Sequence, residues 1–224
     1  MKTDYTLIGI YGGTFDPIHY GHLRTAEELV EILQLDGLHF IPAGQPRLRN
    51  QPIASPHQRC VMLNKAIRDN SRFELDTREI KGRGESYSVE TLRKLNQEYS
   101  SRQVAFCFII GADAFMKLPS WYHWRELFDL CHLIVVNRPG FSLINQQSDL
   151  PHELTIECQD RWVEQADLLK QRASGLIYCA ATTPVAISAT TIRNAILTGK
   201  SIRYLLPDSV INYIYRYHVY PGEK

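Results

Sequence analysis

No apolar run in this sequence is long enough to span a bilayer. The longest, residues 104–112, falls well short of the roughly 18–20 residues that a transmembrane helix needs, so no membrane partner is expected. Net charge is equally scarce. Lys and Arg total 25 against 24 Asp and Glu, leaving no general positive field to hold a nucleic-acid backbone, and nucleic acid is not an expected partner. A small anionic ligand would have to be met by local charges. The first residues carry Asp4 and run through an apolar stretch, 5–10, into a glycine turn. No charged-then-apolar leader or small-residue cleavage site precedes that turn, and export is not expected. Cysteine is sparse and suggests no pairing: Cys60, Cys107, Cys131, Cys158 and Cys179 are odd in number, widely spaced and mostly inside apolar stretches. They read as reduced thiols in the cytoplasm and offer no zinc framework. Internal repeats and low-complexity tracts are also missing.

What is present is a regular alternation. Apolar runs of strand length recur at 7–10, 38–41, 73–75, 104–110, 133–136 and 176–179, separated mostly by segments of helical spacing. After Tyr20, the residues Leu23, Ala26, Val30 and Leu33 share one helix face, and Gly37 suits a C-terminal cap. Short apolar strands under such helices predict an α/β fold, a Rossmann-like doubly wound parallel sheet with flanking helices. With 224 residues, 44% of them hydrophobic, one domain over 1–224 is expected. The polar segment 140–172, with a helix over 161–169, breaks the rhythm and reads as a surface insertion. The tail, 207–217, reads as a structural helix carrying Val210, Ile214 and Tyr217. In open sheets of this kind the ligand sits beyond the carboxyl ends of the strands, where chain order reverses, so the residues just after each strand are the candidates.

After the first strand comes Gly12-Gly13-Thr14-Phe15-Asp16-Pro17-Ile18-His19-Tyr20-Gly21-His22. A glycine turn feeding a helix start is suited to phosphate, because the backbone approaches closely and the unpaired amides attract negative charge. His19 and His22 are three apart and share a helix face, with Gly21 leaving room between them for a triphosphate. Imidazoles so placed donate to phosphate oxygens as charge builds during displacement. Zinc binding and two merely structural histidines are the competing readings, but no other Cys or His pair has metal-ligand spacing. A second helix start runs from Ser188 to Arg193, with Ser188 at the cap and hydroxyls on Thr190 and Thr191. Taken alone it could be an ordinary capped surface helix.

The first signature resembles the nucleotidyltransferase superfamily, and nearly all of the chain is similar to bacterial nicotinate mononucleotide adenylyltransferases. Further motifs carry the resemblance: Ile41-Pro42, Ser86-Tyr87-Ser88, Phe108-Ile109-Ile110-Gly111-Ala112-Asp113, Leu118-Pro119-x-Trp121-Tyr122, Arg138-Pro139-Gly140 and Ile187-Ser188-Ala189-Thr190-Thr191-Ile192-Arg193. It implies transfer of AMP from ATP to nicotinate mononucleotide in NAD biosynthesis, with magnesium riding on the ATP. His19, His22 and Arg193 would be catalytic. ATP would meet Gly12, Gly13, Thr14, Phe15, Gly21, Gly111, Asp113, Ile187, Ser188 and Thr190. The acceptor would meet Arg47, Arg49, Tyr87, Ser88, Trp121, Tyr122 and Arg138, its ring stacking on the aromatic pair. Asp113 would serve the adenosine ribose, although an aspartate after a strand is often only a helix cap.

The sequence departs from the family after Pro42, where relatives commonly read Pro-Pro-His followed by a basic residue and this chain reads Pro46-Arg47-Leu48-Arg49. The charge survives while the histidine is lost. Because the acceptor phosphate is already ionised at neutral pH, no general base is required. Nicotinamide mononucleotide or phosphopantetheine as acceptor, a relative of class I aminoacyl-tRNA synthetases and a nucleotide sensor without turnover remain as alternatives. Homo-oligomerisation is left open.

Overall fold

The computed structural model describes residues 4–45, 51–82, 84–137 and 150–220. It opens with strand β1 (Thr6–Gly13), helix α1 (Tyr20–Leu33), strand β2 (Gly37–Pro42), helix α2 (Pro56–Ile67) and strand β3 (Phe73–Leu75). The short helix α3 (Arg78–Lys81) and helix α4 (Ser88–Glu98) lead to the central strand β4 (Val104–Gly111). Then come α5 (Ala112–Phe115), α6 (Leu127–Leu130), β5 (His132–Val136), α7 (His152–Cys158), β6 (Trp162–Val163), β7 (Ile177–Ala180), α8 (Ala189–Leu197) and α9 (Asp208–Arg216). The strands form one parallel sheet in the order β3-β2-β1-β4-β5-β7-β6. Chain order therefore reverses between β1 and β4, and the cleft beyond their carboxyl ends is the switch point.

Side chains alternate across this sheet, as pleating requires. In β4, Ala105, Cys107 and Ile109 enter the core layer shared with α1, α2, α8 and α9, while Phe106, Phe108 and Ile110 enter the opposite layer with α4, α5, α6 and α7. Both faces are buried, which explains why the strands read as continuous apolar runs. Helix α2 starts with a full capping box, Ser55 and Gln58 exchanging bonds with each other's backbone, and Pro56 in the first turn. No helix among the described residues is long and apolar enough to cross a membrane.

Two local expectations are corrected. Helix α1 ends on Gln34 in the left-handed conformation (φ 51°), its N–H meeting Glu31 and Val30, rather than on Gly37. Asp36 N–H already bonds to the Leu7 carbonyl at 2.9 Å, so the chain has to leave the helix before Gly37 opens β2. The helix expected over 161–169 is instead the strand β6 followed by a 3-10 turn at Ala166–Gln171. Sheet pairing decides it, since Ile177 N–H bonds to the Arg161 carbonyl at 2.7 Å and Trp162 packs edge-on against Phe115. The described part of the segment read as a surface insertion also reaches the core, with Leu154, Cys158 and Leu169 fully buried. In the tail, Val210 and Ile214 are buried as expected, but Tyr217 is 55% exposed.

Candidate active site

The first cradle is built where β1 hands over to α1. His19 caps the helix with extended backbone and makes no side-chain cap bond. Its ring is stacked on that of His22, with centroids 3.8 Å apart and planes 26° apart. Phe15 holds the pair from below, edge-on to His22 at 5.1 Å. This requires Phe15 in the left-handed region (φ 49°), an unusual place for a bulky residue. Gly13 makes it feasible: a Cβ there would lie 2.9 Å from the Phe15 ring.

The second cradle is the start of α8. Ser188 accepts from the Thr191 N–H at 3.1 Å and shares a hydroxyl bond with Thr191 at 2.7 Å. Arg193 then reaches back to the first cradle, donating to the Asp16 carbonyl oxygen at 2.6 Å and to Thr190 Oγ1 at 3.3 Å. The two helix mouths line one cavity of about 630 Å³, which holds Gly12, Gly13, Thr14, Phe15, His19, Gly21 and His22 on one side. Ile187, Ser188, Thr190 and Arg193 stand on the other.

A second cavity of about 490 Å³ shares Tyr11, Gly12, Gly13 and Thr14 with the first, so the two are neighbours across the end of β1. Its walls include Tyr87, Ser88, Phe108, Trp121 and Tyr122. Tyr87 and Tyr122 lie 4.6 Å apart between ring centroids, and Phe108 meets Trp121 edge-on at 6.3 Å. Glu79 also lines it, accepting from Thr91 Oγ1 at 2.7 Å. Burial pushes the Glu79 carboxyl above its ordinary pKa, against the hydrogen bonds of Thr91 and Ser86.

Known proteins are similar to this chain over almost its whole length. The cytidylyltransferase-like family model matches residues 10–195. The probable nicotinate-nucleotide adenylyltransferase of Dechloromonas aromatica is 45% identical over 95% of this chain and 97% of its own. That of Methylococcus capsulatus is 43% identical over 96% and 99%. The chain belongs to the nicotinate-nucleotide adenylyltransferase family. A solved structure of the Plasmodium falciparum nicotinic acid mononucleotide adenylyltransferase with NaAD shares the fold, with a TM-score of 0.71 at 17% identity, covering 98% of this chain and 99% of that one.

Within the family signature, the structure gathers His19, His22, Arg193 and eight of the ten residues expected around ATP into the larger cavity. The two outside it are Gly111, which lines the smaller cavity, and Asp113, which lines neither. Asp113 belongs to the first turn of α5. Of the acceptor-side residues, Tyr87, Ser88, Trp121 and Tyr122 come together in the smaller cavity. Arg47, Arg49 and Arg138 lie outside the described residues, as does Leu48. Gly21 lines the larger cavity and also makes room for the imidazole, because a Cβ there would sit 3.0 Å from His19 Nδ1. Gly21→Ala is therefore expected to fold but to tilt His19 and lower turnover on the order of tenfold, read by steady-state kinetics beside a thermal melt. Unchanged turnover would show that the His19 orientation has no kinetic role.

Sequence reasoning missed the groups that hold the cradles together. Arg59, fully buried, donates to the carbonyls of Thr14 at 2.8 Å and Ala43 at 2.7 Å. The available signal was a charged residue on the same α2 face as Met62, Leu63 and Ile67. Glu28, 7% exposed, takes two 2.6 Å bonds from Thr183, from its N–H and its hydroxyl, tying α1 to the loop before the second cradle. Burial works against the Glu28 charge, but the bonds from Thr183 and Arg24 outweigh it and hold the carboxyl below its ordinary pKa.

Proposed function

We propose that the chain transfers AMP from ATP to the phosphate of nicotinate mononucleotide, forming nicotinate adenine dinucleotide and releasing pyrophosphate. The observation that carries this reading is the pair of helix mouths opening into one cavity that adjoins an aromatic one across Gly12-Gly13-Thr14. The triphosphate would lie between His19 and His22 on one side and Thr190 and Arg193 on the other. An oxygen of the acceptor phosphate attacks the α-phosphorus, the bond from that phosphorus to the bridging oxygen breaks, and pyrophosphate leaves with its electron pair. The imidazoles and guanidinium meet the charge that builds on the oxygens, and holding two anions in line supplies much of the rate.

The nicotinate ring would sit against Trp121 and Tyr122, with Tyr87 and Ser88 beside its carboxylate. The wall of the larger cavity is rich in donors, and its Asp16 carboxylate is engaged by two backbone amides and a phenol. That donor set fits phosphate oxygens better than a bare cation, so magnesium would arrive on ATP and screen its charge. All five cysteines are free thiols, in keeping with a cytoplasmic enzyme.

Pyrophosphate release with magnesium-ATP, measured against nicotinate mononucleotide, nicotinamide mononucleotide and phosphopantetheine, tests the assignment. The nicotinate form is expected to lead its amide analogue on the order of tenfold or more in kcat/KM, since Tyr87 and Ser88 would meet its carboxylate. Turnover with phosphopantetheine and with neither pyridine nucleotide would overturn it.

A further inference from the structure

The end of the chain closes onto its beginning at Asp16. This residue, 5% exposed, accepts from the amides of Ile53 at 2.9 Å and Ala54 at 3.1 Å, and from the Tyr220 hydroxyl at 2.8 Å. Tyr220 is 3% exposed and 204 residues further along. It follows α9, which is fastened to α2 by Ser209 Oγ donating to the Lys65 carbonyl at 3.0 Å. Burial, with the Asp16 charge adding to it, pushes the phenol well above its ordinary pKa, so it remains a donor.

The bond to Tyr220 falls on Asp16 Oδ1, while Oδ2 faces the Arg193 Nη1 at 3.7 Å. The same Nη1 donates to the Asp16 backbone carbonyl at 2.6 Å. Arg193 is thus steered by the backbone while the carboxylate is held just beyond hydrogen-bond reach of it. Without the hydroxyl, only the Ile53 and Ala54 amides hold the carboxylate, which can then turn toward a direct, charge-assisted pair with the guanidinium. Such a pair would satisfy within the protein the donors that the cavity needs.

We propose that Tyr220 is a positioning residue: by fixing the Asp16 carboxylate it keeps the Arg193 fork directed at the triphosphate. The inference rests on the reading of Arg193 as a phosphate contact. Tyr220→Phe retains the ring and removes only the hydroxyl. It is expected to lower kcat/KM for ATP on the order of tenfold, with the KM for the acceptor unchanged and the melting temperature lowered by several degrees, since one bond to a buried carboxylate is lost. The decisive measurement is a double-mutant cycle with Arg193→Ala, run at a temperature where circular dichroism shows every variant folded. If Tyr220 acts through Arg193, the hydroxyl deletion has little further effect once the guanidinium is gone. Additive losses, or unchanged ATP kinetics in Tyr220→Phe, overturn the proposal alone. Unchanged ATP kinetics in Arg193→Ala overturn both it and the phosphate reading of Arg193.

Discussion

Replacing His22 with alanine is expected to lower turnover by about 10²–10³-fold, the usual loss when one preorganised donor to developing charge is removed. The His22 ring is only half-buried, stacked on His19 and edge-on to Phe15 and Tyr11. Losing it removes modest packing, so the folding penalty should stay near 1 kcal/mol. Pre-steady-state release of pyrophosphate, set beside urea unfolding of the same variant, separates the two. A rate loss no larger than the stability loss would make this a structural histidine and remove the chemical reason for the stacked pair.

The largest effect on folding is expected at Arg59. Its guanidinium is enclosed, and burial pulls its pKa down against the attraction of Asp16. Besides Thr14 and Ala43 it reaches the Gly44 carbonyl at 3.3 Å, so one side chain joins the loop after β1 to the loop after β2. Arg59→Met fills much of the volume but strands those carbonyls and leaves the buried Asp16 charge less compensated. The expected cost is about 3–5 kcal/mol, the range found when one member of a buried charged network is removed. Urea unfolding should show a lower midpoint at unchanged slope. A loss below about 1 kcal/mol would mean that water or a neighbour replaces the guanidinium, and that the two loops do not depend on it.

These two positions also mark how far the sequence could be read. His22 stands in an eleven-residue stretch whose glycines, proline and histidines lie close together in sequence, which marked it as a candidate. Arg193 became a candidate through the resemblance, since its capped helix start alone also fits an ordinary surface helix. Arg59 left only a trace, a charge on an apolar face, because its partners lie 45 and 16 residues away. That Gly21 also makes room for the His19 ring left no mark in the sequence, because spacing says where a glycine is, not which side chain leans over it. The strand at Trp162–Val163 escaped notice because two residues carry no periodicity, and only the neighbouring β7 makes them a strand.

By itself, then, the sequence determined most of the alternation of strands and helices and the composition of both helix-start cradles. Each depends on residues within a few positions of one another, through pleat, helical repeat and capping. Only the tertiary structure decided that the cradles face each other, that Arg193 meets Asp16 across 177 residues and that Tyr220 meets it across 204. Those contacts follow from strand order and from the packing of α9 on α2. Such packing is the sum of many weak burials over the whole core, and no short stretch of chain contains it.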